Sequence, residues 1–239
     1  MLAAGIPAAF AQAGEVKVAV AANFTEAAKG IGAAFEKATG HKAVFSFGSS
    51  GQLYTQITQD APFEIFLSAD QARPQKAVED GLTVEDSLFT YATGKIVLFS
   101  KDKALVEGEA TLKAGRFAKI AIANPATAPY GAAAIETMKA LGVHETLAPK
   151  IVKGNNIAQT YQFVDTGNAE LGFIALSQLV GKDGGSRWVV PKTLYKPIAQ
   201  DAVLLKKGET SAAAQSFFAF LKGPEARAII MKFGYGAGS

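Results

Sequence analysis

The sequence predicts an α/β protein of two lobes, each a mostly parallel sheet flanked by helices, with the second lobe inserted into the first. Three observations carry that prediction. Short β-rich runs alternate with helical runs along nearly the whole chain, joined by turns rich in Gly, Ser and Asn. Two points, Gly94 and Tyr195-Lys196-Pro197, read as crossovers that bracket a second set of βα units. Two helical segments then close the chain. The expected division is residues 14–93 and 197–239 for a discontinuous first lobe and 94–196 for the second. The two connecting segments would form a natural hinge.

The elements follow in order. Glu15–Ala21 (EVKVAVA) alternates and is β-rich, and a helix over residues 23–39 follows, with Ile31 and Phe35 spaced for a buried stripe. Gly40 stops it. Residues 42–47 read as a second strand, Ser49-Ser50-Gly51 as a turn, and 52–59 as a helix. Residues 63–68 (FEIFLS) form a third strand, after which Asp70 is placed to cap a helix ending at Gly81. In the second set, 95–100 and 119–123 are strands, and the turn 124–131 leads into a helix over 132–141. Residues 155–165 are helical and 171–175 strand-like. Residues 211–221 and 224–233 are the closing helices.

Composition narrows the function. Of 239 residues, 49% are hydrophobic and 19% charged, which is enough apolar side chain for a core and unlike a disordered chain. The net charge of +3 comes without a basic stripe, so nucleic acid is not an expected partner. No cysteine is present, which excludes disulfides and thiolate metal sites. Residues 1–13 (MLAAGIPAAFAQA) are apolar, and Ala11-Gln12-Ala13 fits a signal-peptidase site, so they read as a signal-peptide remnant without its basic start. No run reaches the roughly 20 apolar residues of a membrane span.

In open α/β sheets ligands bind beyond the carboxyl ends of the strands, where helices begin with unpaired N–H groups and a positive dipole end. The residues at those turns are Ala22-Asn23-Phe24-Thr25, Gly48-Ser49-Ser50-Gly51, Thr127 with Pro129-Tyr130-Gly131, and Val164-Asp165-Thr166-Gly167-Asn168. The first three offer amide, hydroxyl or backbone donors and no acid. Asp165 in the fourth is expected to point away. Singly, these are ordinary caps and turn formers. Together, on both lobes, they suit a fully ionised oxyanion, which needs donors and no proton acceptor.

Rival chemistries lack their signatures. There is no Gly-Lys-Ser/Thr phosphate loop, no G-x-G-x-x-G after the first strand and no G-x-S-x-G elbow around Ser49 or Ser50. His41 and His144 have no metal-spaced partner. No base is evident beside Ser50 or Tyr130, so an enzyme is not expected. An organic-acid binder would want an arginine for the carboxylate, whereas Arg73, Arg116, Arg187 and Arg227 sit away from the turns.

The turns lie within longer stretches: Val20-Ala21-Ala22-Asn23-Phe24-Thr25, Phe47-Gly48-Ser49-Ser50-Gly51, Phe66-Leu67-Ser68-Ala69-Asp70, Ala123-Asn124-Pro125, Ala169-Glu170-Leu171-Gly172-Phe173, and the closing Phe220-Leu221-Lys222-Gly223-Pro224-Glu225-Ala226 with Phe233-Gly234-Tyr235. In these the chain resembles the periplasmic molybdate-binding proteins of ABC importers, over residues 16–235. The resemblance implies a type II periplasmic binding protein fold, with one molybdate or tungstate ion between the lobes, and delivery to an ABC permease. It implies Asn23 and Ser50 as ligands from the first lobe, with Ala22 through backbone only, and Tyr130 and Val164 from the second through backbone N–H. It implies no cofactor, the metal arriving only as the oxyanion, a monomer, and a periplasmic location. Sulfate, thiosulfate or phosphate is the alternative guest. The chain departs from many members in having Asn23 where they have Ser, and Ala175 where they have a ligand-binding Tyr. Tyr130 is placed to compensate, by backbone or by hydroxyl.

Overall fold

Alternating valines start the first sheet: Val16, Val18 and Val20 of β1 (Glu15–Ala21) are fully buried. The computed structural model describes residues 13–238, so the leader expected at 1–13 falls, but for Ala13, outside the described residues. After β1 a 3-10 turn (Ala22–Phe24) opens α1 (Thr25–Thr39), which lays Ala27, Ala28, Ile31 and Phe35 on the core. β2 (Lys42–Gly48) pairs parallel with β1 from Glu15–Lys42 to Ala21–Gly48, which sets the turn at Ser49 level with the one at Ala22. Ser49 then caps α2 (Ser50–Thr58) in a reciprocal box with Gln52. β3 (Ile65–Leu67), α3 (Ala72–Glu79) and β4 (Phe89–Gly94) complete this part of the chain.

Lys95 alone separates β4 from β5 (Ile96–Ser100). There follow α4 (Glu109–Ala114), β6 (Ile120–Ala123), α5 (Pro129–Ala140), α6 (His144–Leu147), β7 (Ile151–Gly154), α7 (Ile157–Asp165), β8 (Leu171–Ala175) and β9 (Ser186–Val189). The chain returns through residues 190–197 to β10 (Ile198–Leu204), α8 (Ala212–Lys222), α9 (Pro224–Lys232) and the short β11 (Gly236–Ala237).

The strands form two sheets, ordered β11-β4-β10-β3-β1-β2 and β7-β6-β8-β5-β9. Both are mixed, with most strands of each running the same way, as expected. In the first, β1 is parallel to β2 and β3, but β10 is antiparallel to β3 and β4. In the second, β6 is parallel to β7 and β8, but β5 is antiparallel to β8 and β9. The strands that run against the rest are β10 and β11 in the first sheet and β5 in the second.

The core of the second lobe does not stop at its surface. Ala21, Ala22 and Ala69 of the first lobe pack into the cluster that holds Ile122, Tyr130 and Ile157. The lobes are therefore pressed together along the carboxyl ends of β1, β3 and β6.

Candidate functional site

Four helix starts meet where the lobes meet. The 3-10 turn brings Ala21, Ala22 and Asn23; α2 brings Gly48, Ser49 and Ser50; α5 brings Ala128, Pro129 and Tyr130; α7 brings Ile157. With Ala69 they line a small cavity of about 10 Å³, room for about one water-sized group and far too small for a sugar or nucleotide. No Asp, Glu, Lys, Arg or His borders it.

The first N–H groups of a helix have no partner within it, so their fate decides what the cavity can bind. At α2, Gln52 N–H goes to Ser49 Oγ, and Gly51 N–H crosses the cleft to Thr127 O at 2.9 Å. Ser50, at the first helical position, keeps its N–H for the cavity. Its Oγ, fully buried, accepts Ala69 N–H at 2.9 Å, and this leaves its own proton to donate. At α5, Pro129 has no N–H and sits where none is needed, so Tyr130 presents the first one. At α7, Asn156 Oδ1 caps Gln159 N–H at 3.0 Å, which leaves Ile157 N–H at the cavity.

The side chain of Asn23 is engaged elsewhere. Nδ2 donates to Gln200 Oε1 at 2.9 Å and to Tyr235 Oη at 3.1 Å, which uses both amide protons. Asn23 can therefore serve a guest through its backbone N–H, as can Ala22 beside it. Tyr130 is similar. Its hydroxyl lies away from the helix start and accepts Gln200 Nε2 at 3.2 Å, so only the backbone can compensate for Ala175. Burial, and secondarily the Tyr235 phenol, push the Tyr130 hydroxyl well above the usual range, against the amides of Gln200 and Asn23. It stays a neutral phenol.

Two expectations need correction. Val164 does not reach the cavity. It lies near the C-terminal end of α7, two turns from Ile157, and packs among Val97, Phe99, Ala121 and Ile174. The helix presents free N–H groups at its start and free carbonyls at its end, so the residue of this segment that borders the cavity is Ile157. The Asn156 cap, with Gln159 three residues on, was the signal for it. Asp165 does point away, towards Lys101 at 3.5 Å on the surface. Arg73 is the second correction. Held by an ion pair with Asp70, its Nη2 reaches across the cleft rim to Ala126 O at 3.1 Å. Its charge is matched by Asp70 and it does not border the cavity. Ala175 is buried in β8 and brings no donor side chain. Among the described residues no group of His, Cys, Asp and Glu is arranged to hold a metal ion.

Comparison with known proteins gives the family. The family described as bacterial extracellular solute-binding protein matches residues 16–236. Molybdate-binding protein ModA of Rhodobacter capsulatus is 60% identical over 225 residues, 94% of this chain and 89% of the relative. Molybdate-binding protein ModA of Azotobacter vinelandii is 54% identical over 240 residues, 98% of this chain and 95% of the relative. The solved structure of an Azotobacter vinelandii periplasmic molybdate-binding protein superimposes with a TM-score of 0.90 at 40% identity, covering 92% of this chain and 98% of that one. By the match over residues 16–236 and by relatives of this identity along nearly its whole length, the chain belongs to the bacterial extracellular solute-binding proteins, in the group of the ModA molybdate-binding proteins.

Proposed function

We propose that this protein captures one molybdate or tungstate ion between its lobes and delivers it to an ABC permease, working in the periplasm after removal of a signal peptide. One observation carries the reading: four helix starts from two lobes, with Ser50 Oγ, converge on a single cavity that no charged side chain borders. A buried dianion is costly unless its oxygens are fully hydrogen-bonded. Helix starts supply donors already oriented, with positive dipole ends aimed at the charge. The N–H groups of Ala22, Asn23, Ser50, Tyr130 and Ile157 and the Ser50 hydroxyl are the proposed donor set.

Binding would begin on the first lobe, where Ala22, Asn23 and Ser50 follow the carboxyl ends of the adjacent strands β1 and β2. Closure would add Tyr130 and Ile157. An anion that touches both lobes stabilises the closed form by its differential affinity. Uncharged donors hold the anion without a countercharge, which suits a protein that must release it again. The chain between Gly94 and Ile96 and residues 190–197 would act as the hinge.

Guest selection follows from size and proton content. Molybdate and tungstate share shape and charge, and sulfate is smaller and would leave donors under-contacted. Phosphate carries a proton at neutral pH, and the cavity wall has no carboxylate to accept it. Catalysis on the bound anion has no support, because no base borders the cavity.

Isothermal titration with molybdate, tungstate, sulfate and phosphate tests the proposal. Tight one-to-one binding of the first two is expected. Tight sulfate binding with no molybdate heat would overturn it.

A further inference from the structure

Behind the cavity lies a set of buried polar side chains that the anion would not touch. Gln200 on β10 is fully buried and links both lobes: Oε1 accepts from Asn23 Nδ2 at 2.9 Å and from Tyr91 Oη at 3.1 Å, and Nε2 donates to Tyr130 Oη at 3.2 Å. Ser177, in the 3-10 turn after β8, donates Oγ–H to Asn23 O at 2.8 Å and accepts Tyr235 Oη–H at 3.0 Å. Tyr235 Oη also lies 2.7 Å from Asn23 O.

Ser177 and Tyr130 belong to the second lobe, and Asn23, Gln200 and Tyr235 to the first. Every bond from Ser177 Oγ therefore crosses between lobes. Opening the cleft would hand that hydroxyl to water, and closing it restores two bonds at once. The backbone makes room for the second link. A Cβ on Gly94, at the hinge, would stand 2.1 Å from Tyr130 Oη and 2.6 Å from Gln200 Nε2.

We infer that Ser177, backed by Tyr235 and Gln200, is a positioning latch: it forms only in the closed protein, grips the peptide of Asn23 beside the cavity, and so sets how tightly the anion is held. The inference rests on the proposed oxyanion capture. Affinity then depends on residues that never meet the ligand, because the apparent binding constant scales with the population of the closed state.

Ser177→Ala is the clean variant. In an open cleft it removes only a solvated hydroxyl. In the closed form it removes both inter-lobe bonds of that hydroxyl, and leaves Tyr235 Oη as the partner of the Asn23 carbonyl within the first lobe. The expected result is a roughly tenfold weaker molybdate affinity by calorimetry, arising mainly from faster release, with an unchanged melting temperature in the absence of anion. Tyr235→Phe should weaken binding as well, and the double variant should lose less than the sum, since both act through one bond. A role confined to packing would lower the anion-free melting temperature and leave release unchanged. Wild-type affinity in Ser177→Ala, or strict additivity with Tyr235→Phe, would overturn the inference. Absence of molybdate heat in the wild type would instead remove the functional reading. Small-angle scattering would still report the latch, because Ser177→Ala must lower the closed fraction without anion, and an unchanged fraction there counts against it.

Discussion

Gly51 offers a perturbation whose effects on folding and binding have opposite signs. It is the second residue of α2, in ordinary helical backbone, so alanine fits its conformation. Within the first lobe the exchange is neutral or gains up to about 1 kcal/mol, because alanine restricts the unfolded chain more than glycine does. Across the cleft the situation differs. A Cβ at Gly51 would lie 3.0 Å from Thr127 Cα, and 3.0 and 3.1 Å from Arg73 Nη2 and Nε. The guanidinium can move, but the Thr127 backbone opens α5 and can give only by shifting the second lobe. Overpacking of this kind costs about 1–3 kcal/mol, and it is felt only when the lobes close. It also strains the Gly51 N–H to Thr127 O bond. Gly51→Ala should therefore weaken molybdate binding by about 5- to 100-fold while the anion-free melting temperature holds or rises by about 2–4 °C. Titration calorimetry and differential scanning calorimetry on the same sample read both numbers. Wild-type affinity, or a melting temperature that falls by several degrees without anion, would refute the reasoning.

Other expectations follow from the same geometry. Ser50→Ala removes the one side-chain donor at the cavity and strands Ala69 N–H; affinity should fall by about 10- to 100-fold, with a stability loss of about 1 kcal/mol read by urea unfolding. Gly94→Ala places a methyl group onto Tyr130 Oη and Gln200 Nε2, so both anion-free stability and affinity should drop, the former by about 2 kcal/mol or more. Burial holds the hydroxyls of Tyr91, Tyr130 and Tyr235 above the ordinary value of 10.0, and burial with Asp80 pushes Tyr54 up to about 12. A raised folded value means that stability is complete below about pH 10 and is lost as pH climbs beyond it, so phenolate absorbance should rise together with unfolding. Molybdate affinity should be flat between about pH 6 and 9, because no side chain that titrates there borders the cavity.

How much of this could be read in the residues depends on where each signal sits. The strand–turn–helix order, and the turns at Asn23 and Ser50, were legible because alternation and caps are local patterns. The start of α5 was placed three residues late. The pattern leaves Pro129 in the loop, although proline at the first helical position marks a start. Val164 follows only from the resemblance and the turn ahead of a strand, whereas the start of a helix is what offers unpaired N–H groups. The antiparallel strands and Gln200 left no local trace. β10 finds its partner β4 about a hundred residues earlier, and one buried glutamine looks like any surface one until the fold surrounds it. Arg73 likewise lies far from the turns in sequence, and only the fold brings it to Ala126.

Diffraction from crystals grown with molybdate, recorded at the molybdenum absorption edge, tests the central claim most directly. The account predicts one anomalous peak between the lobes, with Ser50 Oγ and the N–H groups of Asn23, Tyr130 and Ile157 within hydrogen-bonding distance of its oxygens. A peak outside the cavity, or an anion whose neighbours include a lysine, an arginine or a carboxylate, would contradict it.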